Sequence, residues 1–285
     1  NVNHDAPNND QLQLNDSGEA FSFIWVAASR RGTIVKIDTE TGAILGEYLS
    51  APNGRAGNPS RTTVDANGNV WAGNRDEAAD GLGSAVHIGL VENGQCEDRN
   101  GNGTIETSTG LSDILPWNNG GGADNNGGVS TAEDECIIHY VRTSGTAVRT
   151  VAVDGSNNVW IGGYGNRVHE LYDQDGVAVP GSQFNLGCGG YGGLVDGNGV
   201  LWSANISQGR LLRYDPATST GNCIRVVASY GLGIDTNGFI WNSMWTNNTI
   251  AKISPAGVIE PGFPVPTGGA NNDRGVAVTP FDNNV

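Results

Sequence analysis

The stretch LVDGNGVLW, residues 194–202, decides the fold. It is an apolar pair, an aspartate, a Gly/Asn turn, then two apolar residues and a tryptophan. The phrase recurs as TVDANGNVW at 63–71, AVDGSNNVW at 152–160 and GIDTNGFIW at 233–241. A fifth copy is cut in two. AVTPFDNNV ends the chain at 277–285, and FIW at 23–25 supplies the missing end. A unit repeating at roughly 40 residues with four short strands per unit is the signature of a β-propeller. The split copy predicts a ring closed by pairing the C-terminal strand with the N-terminal strands in blade 1, which removes open sheet edges.

The expected fold is therefore all-β: a single β-propeller of five four-stranded blades. A six-bladed ring is the alternative, because Trp71 and Trp160 lie about two repeats apart. The intervening residues lack the phrase and are rich in Gly and Asn, so they read as an insertion. The domain reading is a polar arm at 1–20, a propeller over 21–285, and an insertion at about 94–134 in blade 2. The segments IVKIDTETG, VHELYDQDG, LLRYDPATS and IAKISPAG alternate apolar and polar residues before a turn, as outer hairpins do. The five repeat tryptophans read as core between blades.

Composition narrows the function. The chain has 285 residues, 44 glycines and a net charge of −15, with only 15 Lys+Arg. This excludes a nucleic-acid backbone or an anionic membrane as main partner. No run of about 20 apolar residues occurs, so no membrane span is expected. The opening NVNHDAPNND has no basic segment followed by an apolar stretch, and reads as a mature chain or one without a signal peptide.

Cys96, Cys136, Cys188 and Cys223 form no CxxC, so a zinc or redox motif is not expected. Cys96 and Cys136 flank the insertion, while Cys188 and Cys223 open and close one blade. Of three possible pairings, the local one, 96–136 and 188–223, is preferred. Disulfides place the protein in an oxidising compartment, so it reads as secreted, extracellular or periplasmic.

The strongest chemical motif is DRNGNGTIE at 98–106. It follows the calcium-loop pattern D-x-[DN]-x-[DN]-G. Asp98, Asn100 and Asn102 supply oxygens at alternate positions, Gly103 permits the turn, Thr104 offers its carbonyl and Glu106 a carboxylate. Position 12 is Thr109 where an EF-hand has glutamate, and no helices flank the loop. Asp113, Asp124, Asp134 and Glu135 are the local candidates for a missing carboxylate. The expected cofactor is a structural calcium ion.

Aligning the innermost strands on the residue before the recurrent aspartate gives Ser60, Arg149, Tyr191, Tyr230 and Arg274 at one level, with Arg61 beside Ser60. Guanidinium forks bind carboxylates bidentately, and tyrosines add a flat face and a hydroxyl. Arg61, Arg149, Tyr191, Tyr230 and Arg274 are thus candidate ligands for an anionic saccharide or small carboxylate in the central channel. The alternative is that they pair with Asp65, Asp154, Asp196 and Asp235, or with water. His4 falls in the arm; His87, His139 and His169 fall on outer strands as surface or inter-blade residues. No nucleophile–base or paired-carboxylate motif stands out.

The phrases GNGVLWSANISQGRLLRYDPATSTG and NGFIWNSMWTNNTIAKISPAG resemble the virginiamycin B lyase-like and NHL/SMP-30-like propellers. The resemblance spans about 21–285 without the insertion, and it implies a propeller. In the lyases the tryptophan is typically followed by Phe-Thr-Glu, with histidines and a glutamate near the axis holding magnesium. Here the tryptophans lead into Val-Ala-Ala28, Ala-Gly-Asn74, Ile-Gly-Gly163, Ser-Ala-Asn205 and Asn-Ser-Met244. The acidic residue is absent from all five, so the resemblance assigns no catalytic residue.

The functional reading is a secreted, calcium-stabilised, non-catalytic binding or structural propeller. A second reading is a polysaccharide lyase or hydrolase at the channel mouth, with Arg149 and Arg274 neutralising a uronate and Tyr191 or Tyr230 as base. A third is a subunit of an extracellular assembly that self-associates through residues 1–20, with QLQLN added to a neighbour's sheet.

Overall fold

A computed structural model describes residues 2–3, 13–14, 21–77, 81–119, 129, 133–269, 274–279 and 285. His4, Asp124 and most of the 1–20 arm lie outside these residues. In the arm, β1 (Val2–Asn3) pairs antiparallel with β2 (Gln13–Leu14). The remainder is β-structure with a single turn of 3-10 helix at Val91–Asn93. No helix of the described residues is long and apolar enough to cross a membrane.

Five antiparallel sheets follow in chain order, as a β-propeller requires. The first holds β3 (Phe23–Ala28), β4 (Thr33–Asp38) and β5 (Ile44–Leu49). The second holds β6 (Pro59–Val64), β7 (Val70–Asn74), β8 (Leu82–Ile88) and β9 (Ile137–Thr146). The third holds β10 (Val148–Val153), β11 (Val159–Gly163) and β12 (His169–Tyr172). The fourth holds β13 (Gly193–Val195), β14 (Leu201–Asn205), β15 (Arg210–Asp215) and β16 (Thr220–Arg225). The fifth holds β17 (Ser229–Ile234), β18 (Ile240–Met244), β19 (Thr249–Ile253) and β20 (Val265–Pro266). Strand β6 packs against β10, β10 against β13 and β13 against β17, so the innermost strands circle an axis.

Three sheets have the expected four strands and two have three. In the third sheet, residues 178 and 184 meet β12 only through isolated bridges, where Gly176, Pro180 and Gly181 interrupt a ladder. In the first sheet the expected C-terminal strand is not a ladder strand: residues 274–279 carry no strand pairing. They instead run beside β17. Ser243 Oγ donates to the Arg274 carbonyl at 3.2 Å, and a Cβ on Gly231 would lie 2.5 Å from that oxygen. Only glycine permits this approach.

The repeated aspartate organises each turn. Asp65, Asp154, Asp196 and Asp235 each accept the backbone N–H groups two and four residues on, at 2.8–3.1 Å. This is the Asx-turn that makes Asp worth repeating at that position. In two sheets the second oxygen takes the indole N–H six residues on: Trp202 Nε1 at 2.8 Å and Trp241 Nε1 at 3.0 Å. The carboxylate thereby fixes both the turn and the core aromatic it leads into. Asp65 differs, receiving His87 at 3.0 Å, and Trp71 instead stacks on that imidazole with centroids 4.1 Å apart.

Four repeat tryptophans, Trp25, Trp71, Trp160 and Trp202, are buried as expected. Trp241 is only half-buried and stands edge-on to Phe263. A further buried tryptophan, Trp117, comes from the insertion. It stands edge-on to Tyr140, and its Nε1 donates to the Leu49 carbonyl at 3.0 Å. The insertion thus has an apolar anchor in the core of the first two sheets.

The disulfides are Cys96–Cys136 and Cys188–Cys223, the local pairing.

Candidate functional site

The innermost strands of the second, third and fifth sheets begin with a bulge. The register shifts between Pro59 and Arg61, between Val148 and Thr150, and between Ser229 and Leu232. A bulge re-aims the side chains at its position. Here it places Ser60, Arg149 and Tyr230 at the same end of the axis. Tyr191 arrives there just ahead of β13, held by its N–H to the Ala204 carbonyl at 2.9 Å.

Four of the five candidates touch, and Arg274 joins through one intermediary. Arg149 lies over the Tyr191 ring at 4.6 Å and donates to its hydroxyl at 3.1 Å. Tyr191 in turn donates to the Tyr230 hydroxyl at 3.4 Å. Arg61 lies over both rings, 5.2 Å from Tyr191 and 5.5 Å from Tyr230. Arg274 sits 5.1 Å above Trp245, whose indole stands edge-on to Tyr230. The arginines do not pair with the recurrent aspartates, whose oxygens the turns already use.

Three members were missed in the sequence: Arg75, Tyr164 and Trp245. Each stands four residues after a repeat tryptophan, at the end of a second strand, where the antiparallel register returns the chain to the channel mouth. That offset from Trp71, Trp160 and Trp241 was readable. Tyr164 stands edge-on to Tyr191 at 5.1 Å and carries Arg149 and Arg167 over its ring.

The electrostatics are those of an unmet positive site. Burial, then the neighbouring Arg149 and Arg61, push the Arg75 guanidinium below its usual value. Burial pushes Tyr191 up, together with its hydrogen bond to Tyr230. Tyr230 is burdened by burial too, but the hydrogen bond from Tyr191 and the cations Arg61 and Arg274 hold it below the ordinary phenol value. Among the described residues, Arg61, Arg149 and Arg274 form no ion pair.

The 98–106 loop closes on itself. Asp98 accepts the N–H groups of Gly101, Asn102 and Gly103. Asn100 and Asn102 turn their amide N–H groups to Glu106, at 2.6 and 2.7 Å. Of the extra carboxylates, Glu135 is buried and accepts the N–H groups of Arg99, Asn100 and Glu106, anchoring both ends of the loop. Asp134 holds Thr107 and Ser108, and Asp113 holds Thr109. These three act as loop anchors. Among the described residues no three acidic, His or Cys side chains cluster at metal-binding spacing.

No protein-family model matches the chain, and none of the curated proteins compared with it matches. Solved structures do share the fold. A streptogramin B lyase aligns with a TM-score of 0.59 at 14% identity, over 92% of this chain and 70% of that one. U3-55K aligns with a TM-score of 0.56 at 12% identity, over 86% of this chain and 65% of that one. A protein of unknown function from Bacteroides caccae aligns with a TM-score of 0.54 at 11% identity, over 87% of this chain and 74% of that one. The fold is thus that of a β-propeller, which hosts many unrelated activities, and function rests on the site.

Proposed function

We propose that this is a secreted binding propeller that takes a carboxylate-bearing saccharide at the channel mouth. One observation carries the reading: three arginines without acidic partners among the described residues surround a tyrosine pair, in a chain of net charge −15. Forked guanidiniums suit carboxylates, and the faces of Tyr164 and Trp245 suit a sugar ring. The two disulfides support an oxidising location.

Titration with oligogalacturonate should release heat, and its reduced, neutral counterpart should not bind. Arg149→Ala should weaken binding about tenfold to a hundredfold, the cost of one hydrogen bond to a charged group. Equal affinity for the neutral and the acidic oligomer would overturn the reading.

A second reading rests on the place of Tyr230, under Arg61 and bonded to the Tyr191 hydroxyl, where the hydrogen bond from Tyr191 and the cations Arg61 and Arg274 outweigh burial and favour its phenolate. A Tyr230 phenolate could take the proton beside a carboxylate neutralised by Arg149. Unsaturated product from the wild type, lost in Tyr230→Phe, would establish it. No product from either would leave binding alone.

The proposal includes a structural calcium ion in the 98–106 loop, held by Asp98, Asn100, Asn102, the Thr104 carbonyl and Glu106. Both amides must then turn their oxygens inward from the arrangement described above. Calcium at a hundredfold excess over its dissociation constant should stabilise the fold by about 2.7 kcal/mol. Melting curves with calcium and with EDTA would coincide if the loop is only an Asn-Gly turn, as would those of Asp98→Ala and its parent.

A further inference from the structure

At the opposite end of β6 from Arg61 lies a second site that the channel does not use. A cavity of about 250 Å³ opens at the seam of the second and third sheets. Inside it runs a chain of three groups, Asp65 and His87 buried and His139 half-buried. Asp65 meets His87 Nε2 at 3.0 Å, and His87 Nδ1 meets His139 Nδ1 at 3.0 Å. Trp71 and the two imidazoles form one stack, with Trp71 and His139 at 6.2 Å and the imidazoles at 5.3 Å.

The proton positions along this chain follow from its first member. Asp65 is ionised: its burial raises it, but the His87 hydrogen bond and charge outweigh that and leave it below the usual carboxylate value. An ionised carboxylate only accepts, so His87 holds a proton on Nε2. Burial lowers this imidazole against the opposing pull of Asp65, so the Nε2 proton is its only one at neutral pH. Its Nδ1 is then a lone pair and must accept from His139 Nδ1–H. That leaves His139 Nε2 as a lone pair. Burial, then repulsion from any second proton on His87, holds His139 at about 4, so it too is neutral at pH 7. At neutral pH His139 is therefore a fixed acceptor, far from the value a general base needs.

The rest of the wall is polar. Asn67, Asn157, Gln174 and Asp175 all line the cavity. Asn157 Oδ1 is occupied by Ala66 N–H at 2.8 Å, which leaves its NH₂ as donor. Gln174 uses its NH₂ on the Ser156 carbonyl at 3.2 Å, which leaves its oxygen as acceptor. The wall thus offers both donors and acceptors beside Glu97 and the apolar Ile138, and none of the residues lining it is a lysine or arginine that would call for an anion.

We propose that this cavity binds a neutral, polyhydroxylated ring, a single sugar residue, with His139 Nε2 accepting one hydroxyl. The volume lies below that of drug-sized pockets, so one ring is the natural occupant. The site is separate from the channel mouth and takes an uncharged ligand where the channel takes an anion.

The test is imidazole ¹⁵N NMR of the full chain with galactose, glucose and N-acetylglucosamine at millimolar concentration. The Nε2 resonance of His139 should begin at the unprotonated position and shift on titration with at least one sugar. His139→Phe should weaken binding about tenfold, the loss of one hydrogen bond. Asp65→Asn keeps the Oδ1 turn bonds but puts an N–H against His87. This reverses the relay, so that His139 Nε2 becomes a donor. Its resonance should move to the protonated position while the fold is retained. A protonated Nε2 in the wild type, or no response to any of the three sugars, would overturn the proposal.

Discussion

Glu77→Ala destabilises the propeller by about 3–5 kcal/mol, the range for losing one partner of a buried charged network. Glu77 is 1% exposed. Its carboxylate accepts from Arg55 at 3.0 Å, from Arg142 at 3.0 Å, from the Tyr140 hydroxyl at 2.7 Å and from Ser84 Oγ. These groups come from the loop after β5 and from β8 and β9, so one side chain ties two sheets. Burial, then the Glu77 charge, pushes the Tyr140 hydroxyl far up and keeps it a donor. Removing the carboxylate takes the negative charge from between two buried guanidiniums. Urea unfolding should show the midpoint fall, with Glu77→Gln intermediate. Glu77 lies two residues beyond Arg75, so the same variant should also loosen the channel mouth. A loss under about 1 kcal/mol would mean that the pairs only offset their own desolvation.

Replacing Cys96 and Cys136 by serine should remove about 4 kcal/mol. The bridge closes a loop with a sequence separation of 40, and chain entropy gives this figure for a loop of that length. Cys136 leads directly into β9, which pairs with β8 as the fourth strand of its sheet. The variant should expose residues 97–135 to protease before the sheets unfold, because only Trp117 and the hydrogen bonds of Asp134 and Glu135 then pin the insertion. Digestion under reducing conditions separates the two events. Equal protease resistance in parent and variant would show that Trp117 and Glu135 suffice. The Cys188–Cys223 bridge, with a separation of 35, should contribute a similar amount but act within the fourth sheet.

Much of the site was legible because the repeat supplies a ruler. Counting back from the recurrent aspartate reached Arg149, Tyr191, Tyr230 and Arg274 without coordinates. Counting forward from the tryptophan would have reached Arg75, Tyr164 and Trp245, but that position varies in type and gives no pattern to the eye. The histidine chain was not legible. His87 and His139 lie 52 residues apart on strands either side of the insertion, and each alone looks like an inter-blade histidine. Their meeting depends on the β8–β9 register, which sequence spacing cannot supply across a long insertion.

The sequence by itself determined the propeller class and the turn chemistry, and made the local disulfide pairing the preferred one of three. These rest on short-range physics: an aspartate bonding N–H groups two and four residues on, a period-2 alternation, and cysteines flanking one unit. What only the tertiary structure decided is which side chains share a space. The bulges that aim Arg149 and Tyr230 inward, the burial of Trp117, and the backbone N–H groups that Glu135 gathers from both ends of its loop all depend on distant backbone. So does the absence of a ladder at 274–279. Local preference sets the elements, but burial and hydrogen-bond satisfaction across the seams set where they meet.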